Sequence, residues 1–187
     1  RHVQPQESGV DMTTLDEVRV RALLAELGER LVARGIEAEI YVVGGAAMML
    51  AYDRTRVTRD IDAVGVPQEE IDIEVAAIAA DHRDLDSDWL NARVLPLLPR
   101  SIDAGRIEVM GAAGIPVNVA SPRYLLAMKA RSARGRRDLD DLWVLCQVLG
   151  LTDVEQMWGI CTQVWDGDFI REDVRVLVSD DLQRRFG

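Results

Sequence analysis

The pair Gly44-Gly45 most constrains the fold of this chain, because it separates a typical strand from a typical helix. Residues 39–43 are mostly β-branched or aromatic, as in a buried strand, whereas residues 46–52 are rich in helix formers. Glycine lets a phosphate group approach the backbone closely, and the start of the next helix presents free N–H groups to an anion. By itself the pair is most simply a tight turn, but this order of elements also suits a phosphate site.

A second short strand, predicted over residues 60–64, begins with an Asp-x-Asp motif. Side chains two residues apart in a strand leave the same face ~6–7 Å apart, so Asp60 and Asp62 point the same way while Ile61 faces the core. A pair of Mg²⁺ ions would neutralise both carboxylates, activate an attacking hydroxyl and bind a triphosphate. Alone, this motif is more often a solvated strand end. Its position one helix after Gly44-Gly45 makes the combined pattern considerably more specific.

Composition limits the chemistry that the chain can use. The 187 residues are 48 % apolar, enough for a sizeable core, but they include only His2, His82, Cys146 and Cys161 as histidines and cysteines. Because this set assembles neither a zinc site nor a His-based triad, catalysis would depend on carboxylates, hydroxyls, arginine or lysine. Among 22 basic residues Lys129 is the single lysine. Ammonium and guanidinium groups differ in shape and hydration, so this exception invites a functional explanation.

Helical periodicity and turn residues outline the rest of the chain. Capping-box motifs predict helix starts within residues 14–17 and 152–155, whereas residues 81–100 are acidic and then proline-punctuated, without a clear pattern. Further elements are predicted in this order: a helix from Pro67 to about Ala80, strands over 106–110 and 115–119, and helices over 121–131 and 138–149.

These elements predict an α/β (α+β) fold with a small mixed sheet followed by C-terminal helices. We expect a tail or cloning remnant over residues 1–12, a core over 13–120 and a helical part over 121–187. No apolar run reaches the ~18 residues of a membrane span, and the N-terminal residues lack the apolar centre of an export signal. The sequence therefore predicts a cytoplasmic protein that does not contact a membrane.

Two segments resemble a known family. The segment YVVGGAAMMLAYDRTRVTRDIDAV is similar to the opening motif of polymerase-β-like nucleotidyltransferases, in particular the AbiEii and MenT type toxins of bacterial toxin–antitoxin pairs. The segment SPRYLLAMKARSARGRRDLDDLWVL resembles their second block, a lysine on a helix followed by an acidic helix. The resemblance covers residues 39–64 and 115–149, and it implies a polymerase-β-like nucleotidyltransferase fold.

The resemblance also implies a role for each matched residue. Asp60 and Asp62 would bind two Mg²⁺ ions, and a third metal carboxylate is expected on a neighbouring strand. Glu108 is the candidate for it, and the next strand carries Asn118 at a comparable place. If neither reaches the metals, a degenerate, non-catalytic copy is the alternative. The residues implied to contact the nucleoside triphosphate (NTP) are Gly44, Gly45, Thr58 and Lys129.

Either Asp138 or Asp141 would be the catalytic acid of the second block, although Asp138 is equally explained as a helix N-terminal charge. Five basic residues lie within residues 129–137, in a chain whose net charge is −10. That balance argues against broad nucleic-acid binding but allows a local basic surface.

The resemblance implies nucleotide transfer from an NTP to an acceptor hydroxyl, expected at the 3′ end of tRNA, by a toxin with a cognate antitoxin. Two alternatives stay open: transfer to a protein or small molecule, and a catalytically dead nucleotide-binding or interaction module.

Overall fold

The computed structural model describes residues 14–112, 114–167 and 170–187. Within them, a five-stranded mixed sheet is combined with seven α-helices and one 3₁₀ turn at Leu95–Leu97, which confirms the predicted fold class. The strands are β1 (Glu39–Val42), β2 (Ile61–Val66), β3 (Leu90–Asn91), β4 (Ile107–Ala112) and β5 (Ile115–Val119). The helices are α1 (Glu17–Ala33), α2 (Gly44–Ala51), α3 (Gln68–Asp81), α4 (Pro122–Ser132), α5 (Arg136–Val148), α6 (Val154–Val164) and α7 (Glu172–Phe186).

The strand order in the sheet is β3-β2-β1-β5-β4. Strand β1 pairs antiparallel with β2 and parallel with β5, so the two segments of the sequence pattern meet at the centre of the sheet. Strand β3, which lies in the stretch without a clear pattern, pairs parallel with β2. Ile61 and Ala63 are fully buried, whereas Asp62 and Val64 alternate with them and face the other side of the sheet.

Both predicted capping boxes correspond to helix starts, but the capping side chains are different ones. The carboxylate of Asp16 accepts a hydrogen bond from the N–H of Arg19 at 2.8 Å, and that of Asp153 accepts one from Gln156 at 2.9 Å. Aspartate caps the third helical N–H as well as Ser or Thr does. The neighbouring Leu15 instead forms an antiparallel bridge with Thr58.

The C-terminal helices pack on one another and on the sheet core. Helix α4 contacts α5, α6 and α7 and contributes five buried residues, and Trp165 donates its indole N–H to the carbonyl of Ala127 at 3.0 Å. Tyr52, at the end of α2, donates to the carbonyl of Ala120 at 3.0 Å, just before α4 begins. Helix α4 is therefore held against the Gly-Gly side of the sheet. In the described part of the chain, no helix is long and apolar enough to cross a membrane.

Candidate functional site

The Gly-Gly turn lies against the Asp-x-Asp strand. Helix α2 begins at Gly44 rather than at Ala46, and Gly44 has a left-handed backbone with φ +65°. A Cβ atom on Gly44 would lie 2.8 Å from Asp62 Oδ2, and one on Gly45 would lie 3.4 Å from Thr58 Oγ1. The first turn of α2 has no side-chain cap. Its backbone N–H groups are therefore available to an anion beside the Asp62 carboxylate.

Asp60 and Asp62 form the acidic part of the site. Asp60 stands immediately before β2 and Asp62 is the second residue of that strand. Burial raises the pKa of Asp62, the nearby charge of Asp60 raises it further, and the cationic groups of Arg93 and Lys129 lower it. A divalent cation would relieve both the desolvation and the repulsion of these carboxylates. Mg²⁺ prefers oxygen ligands and commonly binds one or two carboxylates together with substrate phosphates, so the two side chains fit this ion.

Asn91 is a site residue that sequence reasoning missed. It lies on β3 opposite Asp62, and its side-chain N–H donates to Asp60 Oδ2 at 3.3 Å. Its carbonyl oxygen accepts from Arg93 Nε at 3.0 Å, which orients the amide toward the carboxylate. The strand next to the Asp-x-Asp strand therefore contributes a neutral amide to the site. A two-residue strand has no periodicity, so the sequence held no signal for it.

The structure does not bring Glu108 beside Asp60 and Asp62. Glu108 is exposed on β4, and β1 and β5 separate that strand from β2. Three strand spacings amount to ~14 Å, beyond the reach of a metal shared with Asp62. Asn118 instead donates to Glu39 Oε1 at 3.2 Å. Among the described residues, no group of three or more His, Cys, Asp or Glu side chains is placed to hold a metal.

Thr58 supports the backbone of the site. Its side chain is buried, and its hydroxyl donates to the carbonyl oxygen of Asp60 at 2.9 Å. Its backbone is held by two hydrogen bonds to Leu15, of 2.7 and 2.9 Å. The structure thus turns the hydroxyl toward the protein backbone, whereas the family resemblance implied a position beside the phosphates. This arrangement orients the chain as it enters Asp60.

Lys129 and the acidic residues of α5 meet in one cluster. Lys129 Nζ lies 2.5 Å from Asp141 Oδ2 and 3.4 Å from Asp138 Oδ1. Asp141 is fully buried and also forms an ion pair with Arg56, a residue that sequence analysis did not single out. Asp138 is partly exposed and lines the cleft described next. The structure therefore separates the two candidates: Asp138 can meet a substrate, whereas Asp141 contacts protein cations.

A cleft of about 1370 Å³ connects these elements. Its floor includes Gly44, Gly45 and Asp62, and Lys129 lies on its wall. Other lining residues are of two kinds, basic and apolar: Arg93, Arg100, Arg131 and Arg134, and Val94, Leu97, Leu125, Met128 and Trp165. Ligand pockets commonly measure about 300–1,000 Å³, so this cleft has room for a nucleotide and part of a second substrate. Phosphate-binding and apolar walls in one cleft suit a nucleotide.

Comparison with known proteins agrees with this geometry. Residues 19–165 match the model of a family described as nucleotidyltransferase of unknown function (DUF6036). A crystal structure of an antigenic nucleotidyltransferase-like protein from Paracoccidioides brasiliensis is similar at 16 % identity and a TM-score of 0.49. That match covers 91 % of this chain and 95 % of the other. No curated protein matches the sequence.

Proposed function

Because the chain belongs to this nucleotidyltransferase family of unknown function, we propose that it is a Mg²⁺-dependent enzyme that transfers a nucleotide from an NTP to an acceptor hydroxyl. The observation that carries the proposal is the convergence of Gly44, Gly45, Asp62 and Lys129 on one cleft. These groups come from two helices and a strand, and together they offer the ligands that a metal-bound triphosphate requires.

Each group has a distinct task in this reaction. The acceptor oxygen bonds to the α-phosphorus as the bond to the β-phosphate oxygen breaks, and pyrophosphate leaves. Asp60 and Asp62 would hold Mg²⁺, which supplies neutralisation of phosphate charge and activation of the acceptor hydroxyl. The first N–H groups of α2 bind phosphate oxygens, and the Lys129 ammonium stabilises the negative charge on the phosphates. Asp138, exposed in the cleft, is placed to accept the acceptor proton.

We propose RNA, in particular the 3′ end of tRNA, as the acceptor. Arg93, Arg100, Arg131 and Arg134 line the cleft in a chain whose net charge is −10, so the positive charge is local. Such a surface binds a phosphate backbone next to the active site without attracting bulk nucleic acid. Transfer to a protein or small molecule is the second candidate, and a dead binding module is the third.

Incubation with each labelled NTP, Mg²⁺ and total tRNA tests the proposal. We expect one or more NTPs to label the tRNA, and tRNA with a periodate-oxidised 3′ end to remain unlabelled. Label confined to protein or to a small molecule would identify the second candidate. Nucleotide binding without any labelled product, at several metal and NTP concentrations, would identify the dead module.

The basic rim should control RNA use but not nucleotide binding. Arg134→Gln combined with Arg136→Gln is expected to weaken tRNA labelling, because each lost phosphate contact lowers the log–log salt slope by about 0.7–0.9. Equilibrium NTP binding should stay unchanged. Arg184→Gln on α7, whose side chain is 74 % exposed, is the matched control. Normal labelling by the double variant at all salt concentrations would reject this surface as the RNA site.

The toxin role is part of the same proposal, with a cognate antitoxin as partner. Induced expression of the chain should arrest bacterial growth, and Asp62→Asn should abolish the arrest. Co-expression of the neighbouring gene product should relieve it. Unimpaired growth at high expression of the wild-type chain would separate the transfer activity from a toxin role.

A further inference from the structure

A buried charge cluster joins the loop before the Asp-x-Asp strand to the helices that carry Lys129 and Asp141. Asp141 is fully buried, and the side chains of Arg56 and Lys129 are only 12 % and 13 % exposed. Both cations contact the same carboxylate, Arg56 at Oδ1 and Lys129 at Oδ2. Burial of this many charges is costly unless they are paired, so the cluster has a defined geometry.

Arg56 is also anchored in its own loop. Its Nε donates to Asp53 Oδ2 at 3.2 Å, and Asp53 Oδ1 accepts from the hydroxyl of Thr55 at 2.7 Å. The next residue, Val57, accepts a hydrogen bond from Arg137 Nη2 through its carbonyl at 2.7 Å. The loop that leads through Thr58 into Asp60 is thus attached to α5 at two consecutive residues. A shift of Arg56 would be transmitted to both sides of the cleft.

The sharing of Asp141 has an electrostatic consequence. A carboxylate paired with Lys129 alone would form a neutral pair, and Lys129 would then have little net charge to offer a phosphate. With Arg56 on its other oxygen, Asp141 is neutralised from two sides. One excess positive charge is left among these three groups, and Lys129 is the member that lines the cleft.

We propose that Arg56 is a positioning residue for nucleotide transfer: by sharing the buried carboxylate of Asp141, it holds Lys129 in the cleft with its charge available to the triphosphate. This proposal rests on the proposed function for its substrate, but the cluster itself can be tested without any transfer reaction. Arg56 does not touch the nucleotide in this scheme and acts through Asp141.

The single lysine of the chain makes the test specific, because ¹³C-labelled lysine places one side-chain NMR signal, at Lys129, in the spectrum. The charged groups that act on Lys129 are Asp138, Asp141, Arg56, Arg137 and, across the cleft, Asp62. Burial lowers the pKa of Lys129, Asp138 raises it, and the guanidinium groups of Arg56 and Arg137 lower it.

Two neutral variants should move the pKa of Lys129 in opposite directions. Arg56→Gln removes a cation and should raise it, whereas Asp141→Asn removes the nearest anion and should lower it. A mere loosening of the fold would expose Lys129 and raise its pKa in both variants. Arg54→Gln, with a 75 % exposed side chain in the same loop, should leave it unchanged. Two upward shifts, or none, would overturn the proposal; Arg56→Met replaces Arg56→Gln if the latter does not fold.

Transfer kinetics provide the second arm. Arg56→Gln should raise the KM for the NTP, or lower kcat/KM, by about 10- to 100-fold, as loss of a residue that orients a ligand-binding group does. Arg56→Lys keeps the charge and should recover part of this loss. Kinetics equal to wild type in Arg56→Gln would reject the positioning role. If the wild-type chain transfers no nucleotide, the proposed function fails while the NMR titration still decides the charge cluster.

Discussion

Replacement of Asp62 by asparagine is expected to lower nucleotide transfer about a thousandfold, because the lost metal charge removes several kcal/mol of transition-state stabilisation. Asp60→Asn should have a similar effect. Asparagine has the shape of aspartate, and Asp62 is partly exposed at the edge of the cleft, so both variants should fold. Initial rates of labelled product at saturating Mg²⁺, with circular dichroism as the folding check, measure this.

The matched control is Asp84→Asn, which removes a carboxylate with a 58 % exposed side chain in the loop after α3. It changes the net charge by the same amount as Asp62→Asn and should retain wild-type rates. Rates within a few fold of wild type for both Asp60→Asn and Asp62→Asn would eliminate metal-assisted transfer at this pair. Equal loss in Asp84→Asn would show that net charge, and not metal binding, decides the rate.

Gly44→Ala is the second change with a large expected effect. Alanine at φ +65° costs about 1–2 kcal/mol of stability, and its Cβ would lie 2.8 Å from Asp62 Oδ2. The short Asp62 side chain would have to turn away from its position in the cleft. We therefore expect a modest loss of melting temperature together with a loss of transfer close to that of Asp62→Asn.

Gly150→Ala separates the two causes. Gly150 follows α5 with the same φ of +65°, but nothing lies within 4 Å of the Cβ that alanine would add. Both variants should therefore lose similar stability, and only Gly44→Ala should lose activity. An active Gly44→Ala enzyme would show that Asp62 tolerates displacement. Equal inactivity of the two variants would attribute the loss to backbone strain alone.

The part of the site that lies close together in the chain could be predicted from the sequence. Gly44, Gly45, Asp60 and Asp62 fall within 19 consecutive residues, and local rules on glycine and strand alternation relate them to one another. The fold class followed for the same reason, since each element carried its own periodicity. Lys129 stood out by composition, and the structure places it in the same cleft as Asp62.

Strand order, in contrast, is a long-range property, and it decided which candidates reach the site. Glu108 and Asn91 both carry side chains that bind metals or carboxylates, but only β3 with Asn91 pairs with β2. Helical packing likewise distinguished Asp138 from Asp141, because burial depends on which face of α5 meets α4 and the loop of Arg56.

By itself, the sequence determined the kind of chemistry this protein can perform: it has carboxylates, glycines and one lysine, and almost no histidine or cysteine. The tertiary structure alone decided which of these groups meet a substrate and which, like Asp141 and Arg56, meet each other. The reason is that residue type and short-range periodicity are written locally. Burial and charge pairing instead depend on contacts between segments as far apart as residues 56 and 141.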